Sequence, residues 1–340
     1  MSKLTPVIIL SAMAALGATA ASAATLADVK AKGFVQCGVN TGLPGFASPD
    51  NAGAWTGLDI DYCKAIAAVV FGDATKVKFT PLSAKDRFTA LQSGEVDLLA
   101  RNTTWTMSRD TQMGLTFAGV NYYDGQGFVV KKALGVTSAL KLDGASVCVQ
   151  SGTTTELNLS DYFAANKIKF TPVVFEKVDE VNAAYESGRC DAMTTDQSGL
   201  YAYRLTFQVP DDHIVLPEII SKEPLGPVVR AGDVQWLNIV KWTTYALVEA
   251  EEYGITSKNV DDLKKTSTNP SVKRILAADD SKFGEPMGVS NDWAYQLIKQ
   301  MGNYGEIFER NVGAGSPLKI ARGANALWSK GGLQYAPPIR

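Results

Sequence analysis

Histidine is nearly missing from this chain: His213 is the only one among 340 residues. One imidazole and four cysteines with no CxxC spacing leave little for a zinc site, and no metal or cofactor is expected. An excess of positive charge is missing too. Lys and Arg number 33 against 35 Asp and Glu, a net charge of −2, so no nucleic-acid-binding surface is expected. A long apolar run is also absent. The one apolar stretch, Val7 to Leu16, is shorter than the ~20 residues a membrane helix needs. Aromatic and apolar residues stand at 9% and 46%, ordinary levels for a chain that builds cores, which excludes a disordered polymer.

The apolar stretch follows an early charge, Lys3, and precedes small residues from Gly17 to Ala24. Ala21-Ser22-Ala23 fits a small-x-small cleavage pattern, so 1–23 reads as a secretory signal peptide. No Cys follows the run to carry a lipid. The mature protein is therefore expected free and soluble outside the cytoplasm. In an oxidising compartment disulfides are the default. Cys37, Cys63, Cys148 and Cys190 allow three pairings. Pairing within each half, Cys37 with Cys63 and Cys148 with Cys190, is favoured.

The remaining length suits two compact domains of ~100–200 residues each. Phe34–Val39, Val77–Thr80 and Val96–Ala100 read as strands, with helices at Asp61–Phe71 and Ala84–Ser93. That alternation predicts a parallel sheet with helices on its faces. The middle repeats it: strands at Ser146–Val149, Phe170–Phe175 and Cys190–Thr194, helices at Thr153–Ala164, Val178–Ser187 and Gln197–Thr206. Ser93-Gly94-Glu95-Val96-Asp97 recurs as Ser187-Gly188-Arg189-Cys190-Asp191. Each ends a helix and opens a strand that runs into a polar loop, Arg101 to Thr104 in one half and Thr194 to Gln197 in the other. Ligands of open parallel sheets bind beyond the carboxyl ends of the strands. Two such lobes facing each other would bring both loops to one cleft.

The expected organisation is lobe one at 24–129, lobe two at 130–222, and a return to lobe one with a helical C-terminal extension at 223–340. The crossings are expected in the extended pieces Gly127–Lys132 and Glu218–Val229. Trp236–Ala250, Val260–Lys265, Pro270–Ala277, Asn291–Gly302 and Tyr304–Asn311 read as helices packed around lobe one. His213 reads as a surface loop residue.

A buried cleft that takes in a charged ligand must pair each of its charges, because an isolated buried charge is too costly. Arg109, just past the first polar loop, is placed to fork onto a carboxylate. Gln150 to Thr155 join a strand to a helix, and their hydroxyls and N–H groups suit an anion as well as an N-cap. Asp196 in the second loop is the natural ammonium partner, or a helix cap. Asn40, Leu43, Phe46, Trp105 and Gln150 are candidates for the side-chain pocket.

Gly57-Leu58-Asp59-Ile60-Asp61-Tyr62-Cys63-Lys64-Ala65-Ile66-Ala67, the run from Asp97 through Thr104 to Arg109, Ser151-Gly152-Thr153-Thr154, and Ala192 to Asp196 together resemble family 3 of bacterial solute-binding proteins. The resemblance covers roughly Phe34 to Val229. It implies a periplasmic-binding-protein-like α/β fold of two lobes on a two-strand hinge, a monomer that closes like a Venus flytrap. It implies that Arg109, Thr104 and Thr154 hold the ligand carboxylate and that Asp196 and Asn102 hold the ammonium. The partners implied are a free L-amino acid, with broad specificity, and the permease subunits of an ABC importer. The long tail and two Cys pairs resemble the general L-amino-acid binders. Asn102, Gln150 and Asn40 depart from the residues many members carry at those places. The same fold resembles periplasmic cyclohexadienyl dehydratases, a rival reading as an enzyme that would need a positioned general acid. A sensory module is a third.

Overall fold

The structure, a computed structural model, describes residues 25–340. The expected signal peptide at 1–23 lies outside the described residues. Helix α1 (Thr25–Lys32) leads into β1 (Val35–Asn40). Helix α2 (Leu58–Phe71), β2 (Val77–Leu82), α3 (Arg87–Ser93) and β3 (Leu98–Leu99) follow. Strand β1 pairs in parallel with both β2 and β3, so a helix must carry the chain back across the sheet each time. Helix α4 (Met107–Gln112) and β4 (Leu115–Phe117) come next.

The chain then passes through β5 (Tyr122–Asp124) into β6 (Gln126–Lys131), β7 (Ala145–Gln150), α5 (Thr154–Ala165), β8 (Phe170–Phe175), α6 (Val178–Glu186), β9 (Ala192–Asp196), α7 (Gln197–Arg204) and β10 (His213–Val215). It returns through β11 (Glu223–Leu225) to β12 (Val228–Arg230). The first sheet has the order β2-β1-β3-β12-β4 and the second β8-β7-β9-β6-β10. Both sheets are mixed rather than all parallel. In each, a single strand, β12 or β6, runs antiparallel to the other four, which share one direction.

The first crossing falls earlier than the sequence implied. Gly127 to Val130 pair with Thr195 to Ala192 inside the second sheet, so lobe two already begins at Gln126 rather than at 130. An extended apolar run reads alike as hinge or sheet strand. The two strands between the lobes are β5 and β11, an antiparallel pair in which Asp124 faces Glu223 and Tyr122 faces Leu225.

The repeated Ser-Gly motif has a structural cause. Gly94 and Gly188 sit at φ 82° and 81°, the left-handed turn that ends a helix where other residues are strained. Asp97 then accepts the Gln36 N–H at 2.7 Å, and Asp191 accepts the Ser146 N–H at 2.8 Å. In both lobes the Asp pins the central strand to its neighbour. Each lobe also carries one disulfide, Cys37–Cys63 from β1 to α2 and Cys148–Cys190 from β7 to the lead-in of β9, with Cα atoms 6.1 and 5.7 Å apart.

Helix α2 is buried almost all round, because the sheet covers one side and the tail the other. The tail contributes α8 (Val234–Glu252), α9 (Val260–Thr266), α10 (Pro270–Ile275), α11 (Trp293–Met301) and α12 (Tyr304–Asn311). Tyr62 of α2 donates to the Val240 carbonyl at 2.6 Å, and Asp61 accepts from Arg310 and Asn311 at 2.7 Å each. Regular helix stops at Asn311. Beyond it the chain forms a strap with two short 3-10 turns that reaches the hinge. There the Asn325 side chain accepts from the Tyr123 N–H at 2.7 Å and donates to the Tyr123 carbonyl at 3.0 Å. His213 is not a surface residue. It is 5% exposed, packs against Phe207 and Tyr185, and bonds the Tyr185 hydroxyl at 2.8 Å; as the first residue of β10 its ring turns into the core.

Candidate functional site

The carboxyl ends of the parallel strands of both sheets converge on one enclosed cavity with about 30 Å³ of room. From lobe one come Asn40 at the end of β1, Arg87 on α3, and Arg101, Asn102 and Thr104 beyond β3. Lobe two supplies Gln150 at the end of β7, the start of α5, and Thr194 to Asp196 at the end of β9. That is room for about two waters with the lobes in this position.

Asp59, at the start of α2, organises the lobe-one loop. Its carboxylate accepts the Asn102 N–H at 2.9 Å and so holds Asn102 in the left-handed region at φ 35°, where a non-glycine residue needs a reason to stay. The Asn102 side-chain oxygen Oδ1 accepts from the Asn40 side-chain amide at 2.9 Å. Burial pushes the Asp59 carboxyl up to about 7, against the opposing pull of the Asn102 N–H and Arg101. Arg101 donates from Nε to the Leu82 carbonyl at 3.0 Å. Arg109 is also buried, yet it does not line the cavity. Its Nη1 donates to the Thr104 carbonyl at 2.9 Å, and its guanidinium lies 5.2 Å from the Phe88 ring centre. Glu223 and Asp196 are close enough to act on its charge.

In lobe two, Thr153 caps α5, its hydroxyl accepting the Glu156 N–H at 3.1 Å. The first N–H groups of a helix have no partner within it, and here they belong to residues facing the cavity. Asp196 precedes α7 but makes no cap hydrogen bond. Its carboxyl is 7% exposed as a residue and is pushed well up, first by burial and then by Asp124 and Glu223; the Asn102 amide and Arg87 work the other way. A buried, uncapped carboxylate at the mouth of a cavity is a site for a cation.

Glu223 links the halves. Its carboxylate accepts from Thr104 of lobe one at 2.6 Å, from Thr154 and Asn158 of lobe two at 2.8 and 2.7 Å, and from Ser221 at 2.6 Å. The hydroxyls of Thr104 and Thr154 are thus engaged by a carboxylate of the chain itself. Of the expected site residues, Asn40, Asn102, Thr104, Gln150, Thr154 and Asp196 come together. Leu43 and Phe46 do not: both are fully buried in the lobe-one core, Phe46 edge-on to Tyr122. Trp105 stacks on Phe117 and lines a separate cleft beside the hinge. Arg87 and Glu223 escaped the sequence reading. A lone charge on a short amphipathic helix or beside a proline carries no local mark of burial.

Two α/β lobes joined by a strand pair and closed over a buried polar cavity define a hinged ligand clamp. Residues 35–259 match the family of bacterial extracellular solute-binding proteins, family 3. The chain belongs to that family. It is 66% identical over 340 residues to the general L-amino acid-binding periplasmic protein AapJ of Rhizobium johnstonii, covering 100% of this chain and 99% of that one. It is 55% identical over 329 residues to the glutamate/glutamine/aspartate/asparagine-binding protein BztA of Rhodobacter capsulatus, covering 97% of each. A periplasmic binding protein from Brucella ovis, solved with glutathione bound, superposes with a TM-score of 0.91 at 66% identity, covering 93% of this chain and 99% of that chain.

Proposed function

We propose that this chain is the periplasmic binding component of an amino-acid ABC importer, clamping free L-amino acids between its lobes and presenting the closed form to membrane permease subunits. The observation that carries this reading is the placement of complementary groups on opposite jaws. Asp196 and the open N–H groups of α5 sit on lobe two, facing Asn102 and the Thr104–Arg109 segment of lobe one. Asp196 with Asn102 takes the ammonium. The start of α5, with Arg109 behind Thr104, takes the carboxylate; since the two threonine hydroxyls are engaged with Glu223, the Thr154 contribution falls on its N–H. A ligand touching both lobes stabilises the closed form through contacts the open form lacks. The names of the similar proteins from Rhizobium johnstonii and Rhodobacter capsulatus support the substrate class.

Among the described residues Asp196 is the one carboxylate lining the cavity. An enzyme handling a leaving group would need a second positioned acid or a histidine there, so binding without chemistry is the better reading. A thermal-shift screen of the mature chain against the twenty L-amino acids tests it. True ligands at ~100 Kd should add about 2.7 kcal/mol of stability. No shift with any of them, together with aromatisation of prephenate or arogenate, would reverse the assignment.

A further inference from the structure

A second space between the lobes lies behind the hinge, with about 770 Å³ of room. Neighbouring residues divide between it and the ligand cavity. Thr104 faces the cavity and Trp105 the rear cleft; Asp196 faces the cavity and Gln197 the rear cleft. On α7, Tyr203 faces the cavity and Tyr201 the rear cleft. Glu223 of β11 reaches forward to Thr104 and Thr154, while Pro224 lines the rear cleft. The segments that join the lobes are thus a septum with an interlobe space on each side. Rigid lobes that turn about a septum widen one side as they narrow the other.

The rear cleft has unlike walls. One belongs to lobe two, through Tyr201 and Ile219. The other is the C-terminal strap, through Ile320 to Asn325 and Leu333. The strap lies beyond residue 259, where the family match ends, and it is fastened to lobe one. Asn325 holds both backbone polar groups of Tyr123 on β5. Gln334 donates to the Tyr304 hydroxyl at 3.1 Å, Arg322 to Glu251 of α8 at 2.9 Å, and the Ile339 N–H to Glu249 at 2.9 Å. So held, the strap moves with lobe one. The surfaces turned to the rear cleft are apolar yet open to water: Ile219 is 60% exposed and Leu333 55%. Ala324 is exposed on the strap side.

We propose that the rear cleft is the counter-jaw of the clamp: it shuts as the ligand cleft opens, burying Leu333 of the strap against the Tyr201–Ile219 wall of lobe two, so that the strap sets ligand affinity from outside the ligand cavity. The inference rests on the hinged clamp above and adds the element that biases it. Apolar burial at the rear favours the open form. The ligand works against that bias, and its apparent affinity is reduced by the fraction of molecules that are closed. Among the described residues, none of the strap lines the ligand cavity, so a change in the strap acts on every ligand by the same factor.

The test is calorimetry on the mature full-length chain with L-glutamate, L-glutamine and L-alanine at fixed pH and salt. Two variants bias the clamp from behind. Ala324→Trp fills the rear cleft, and Leu333→Ser removes apolar surface that opening would bury. Each should bind every ligand that wild type binds ~3-fold or more tighter, by one common factor, because the closed population grows while the ligand contacts stay the same. Small-angle scattering without ligand should show the radius of gyration of Ala324→Trp shifted toward the ligand-bound value of wild type. A gain in affinity is not what a damaged fold produces, and Leu333→Ser, at an exposed position, keeps the test standing if the tryptophan variant does not fold. If wild type binds and the folded variants stay within ~2-fold of it, or bind more weakly, the counter-jaw is wrong while the clamp stands. Unequal factors for different ligands would place the influence of the strap inside the ligand cavity and overturn the proposal too. If none of the three binds wild type, the clamp itself fails and the counter-jaw with it.

Discussion

Asp59 uses its carboxylate to hold backbone, and that has a measurable consequence. Its folded-state value, about 7, lies above the ordinary 3.8. Between those values the folded chain binds more protons than the unfolded one, so stability falls as pH rises through that window. Asp59→Asn keeps an acceptor for the Asn102 N–H and removes the charge. Urea midpoints across pH 4.5 to 7.5 should therefore decline less in the variant than in wild type; parallel slopes would show that Asp59 ionises freely. Asp196 and Arg109 belong to the same scale. Asp196→Asn should weaken every L-amino acid by ~10²-fold or more, since a charge-paired ammonium loses its partner. Arg109→Ala should cost ~3–5 kcal/mol of binding. Calorimetry that finds Arg109→Ala unchanged would leave Arg109 as a support for the Thr104 loop. Asn102, Gln150 and Asp196 were readable because polar residues at strand ends mark a cleft. Leu43 and Phe46 were not, because an apolar residue after a strand fits pocket and core equally well. Arg87 was illegible for a different reason: a lone charge on a seven-residue helix carries no local mark of its burial.

At the level of elements, hydrophobic periodicity located the parallel strands and crossover helices of both lobes, since each must bury one face on the sheet. It could not separate a hinge strand from a sheet strand, because both are extended and both pair. That is why the first crossing moves from Gly127–Lys132 to β5. The tail was legible up to Asn311, where amphipathic spacing ends; the strap beyond it is held by single side chains such as Asn325, which leave no period. The disulfides span 26 and 42 residues of chain. Each should contribute ~2–4 kcal/mol, chiefly by restricting the unfolded chain. Denaturation with and without reductant, on Cys37→Ala/Cys63→Ala and Cys148→Ala/Cys190→Ala separately, should show both losses. A midpoint unaffected by reductant in wild type would contradict this.

The whole molecule works only if the lobes can meet, and Gly152 is one place where they do. It sits at φ 73°, and a Cβ there would lie 3.5 Å from the Lys85 Cα of the opposite lobe. Gly152→Val adds both backbone strain and bulk at that contact. Amino-acid affinity should drop ~10-fold or more, well beyond any change in melting temperature; affinity within ~2-fold of wild type would mean that full closure is not needed. The Lys85–Glu176 ion pair beside it, 3.6 Å long and exposed on both sides, is the weak kind worth ~0–1 kcal/mol.

Glu223 gives the clamp an internal understudy for its ligand. Thr104 and Thr154, one on each jaw, already share an acceptor at the hinge. An incoming acid group that recruits those hydroxyls trades one set of hydrogen bonds for an equivalent set, and the net gain from that end is small. On the proposed reading, discrimination then shifts to the amine end, where Asp196 has no carboxylate standing in for it.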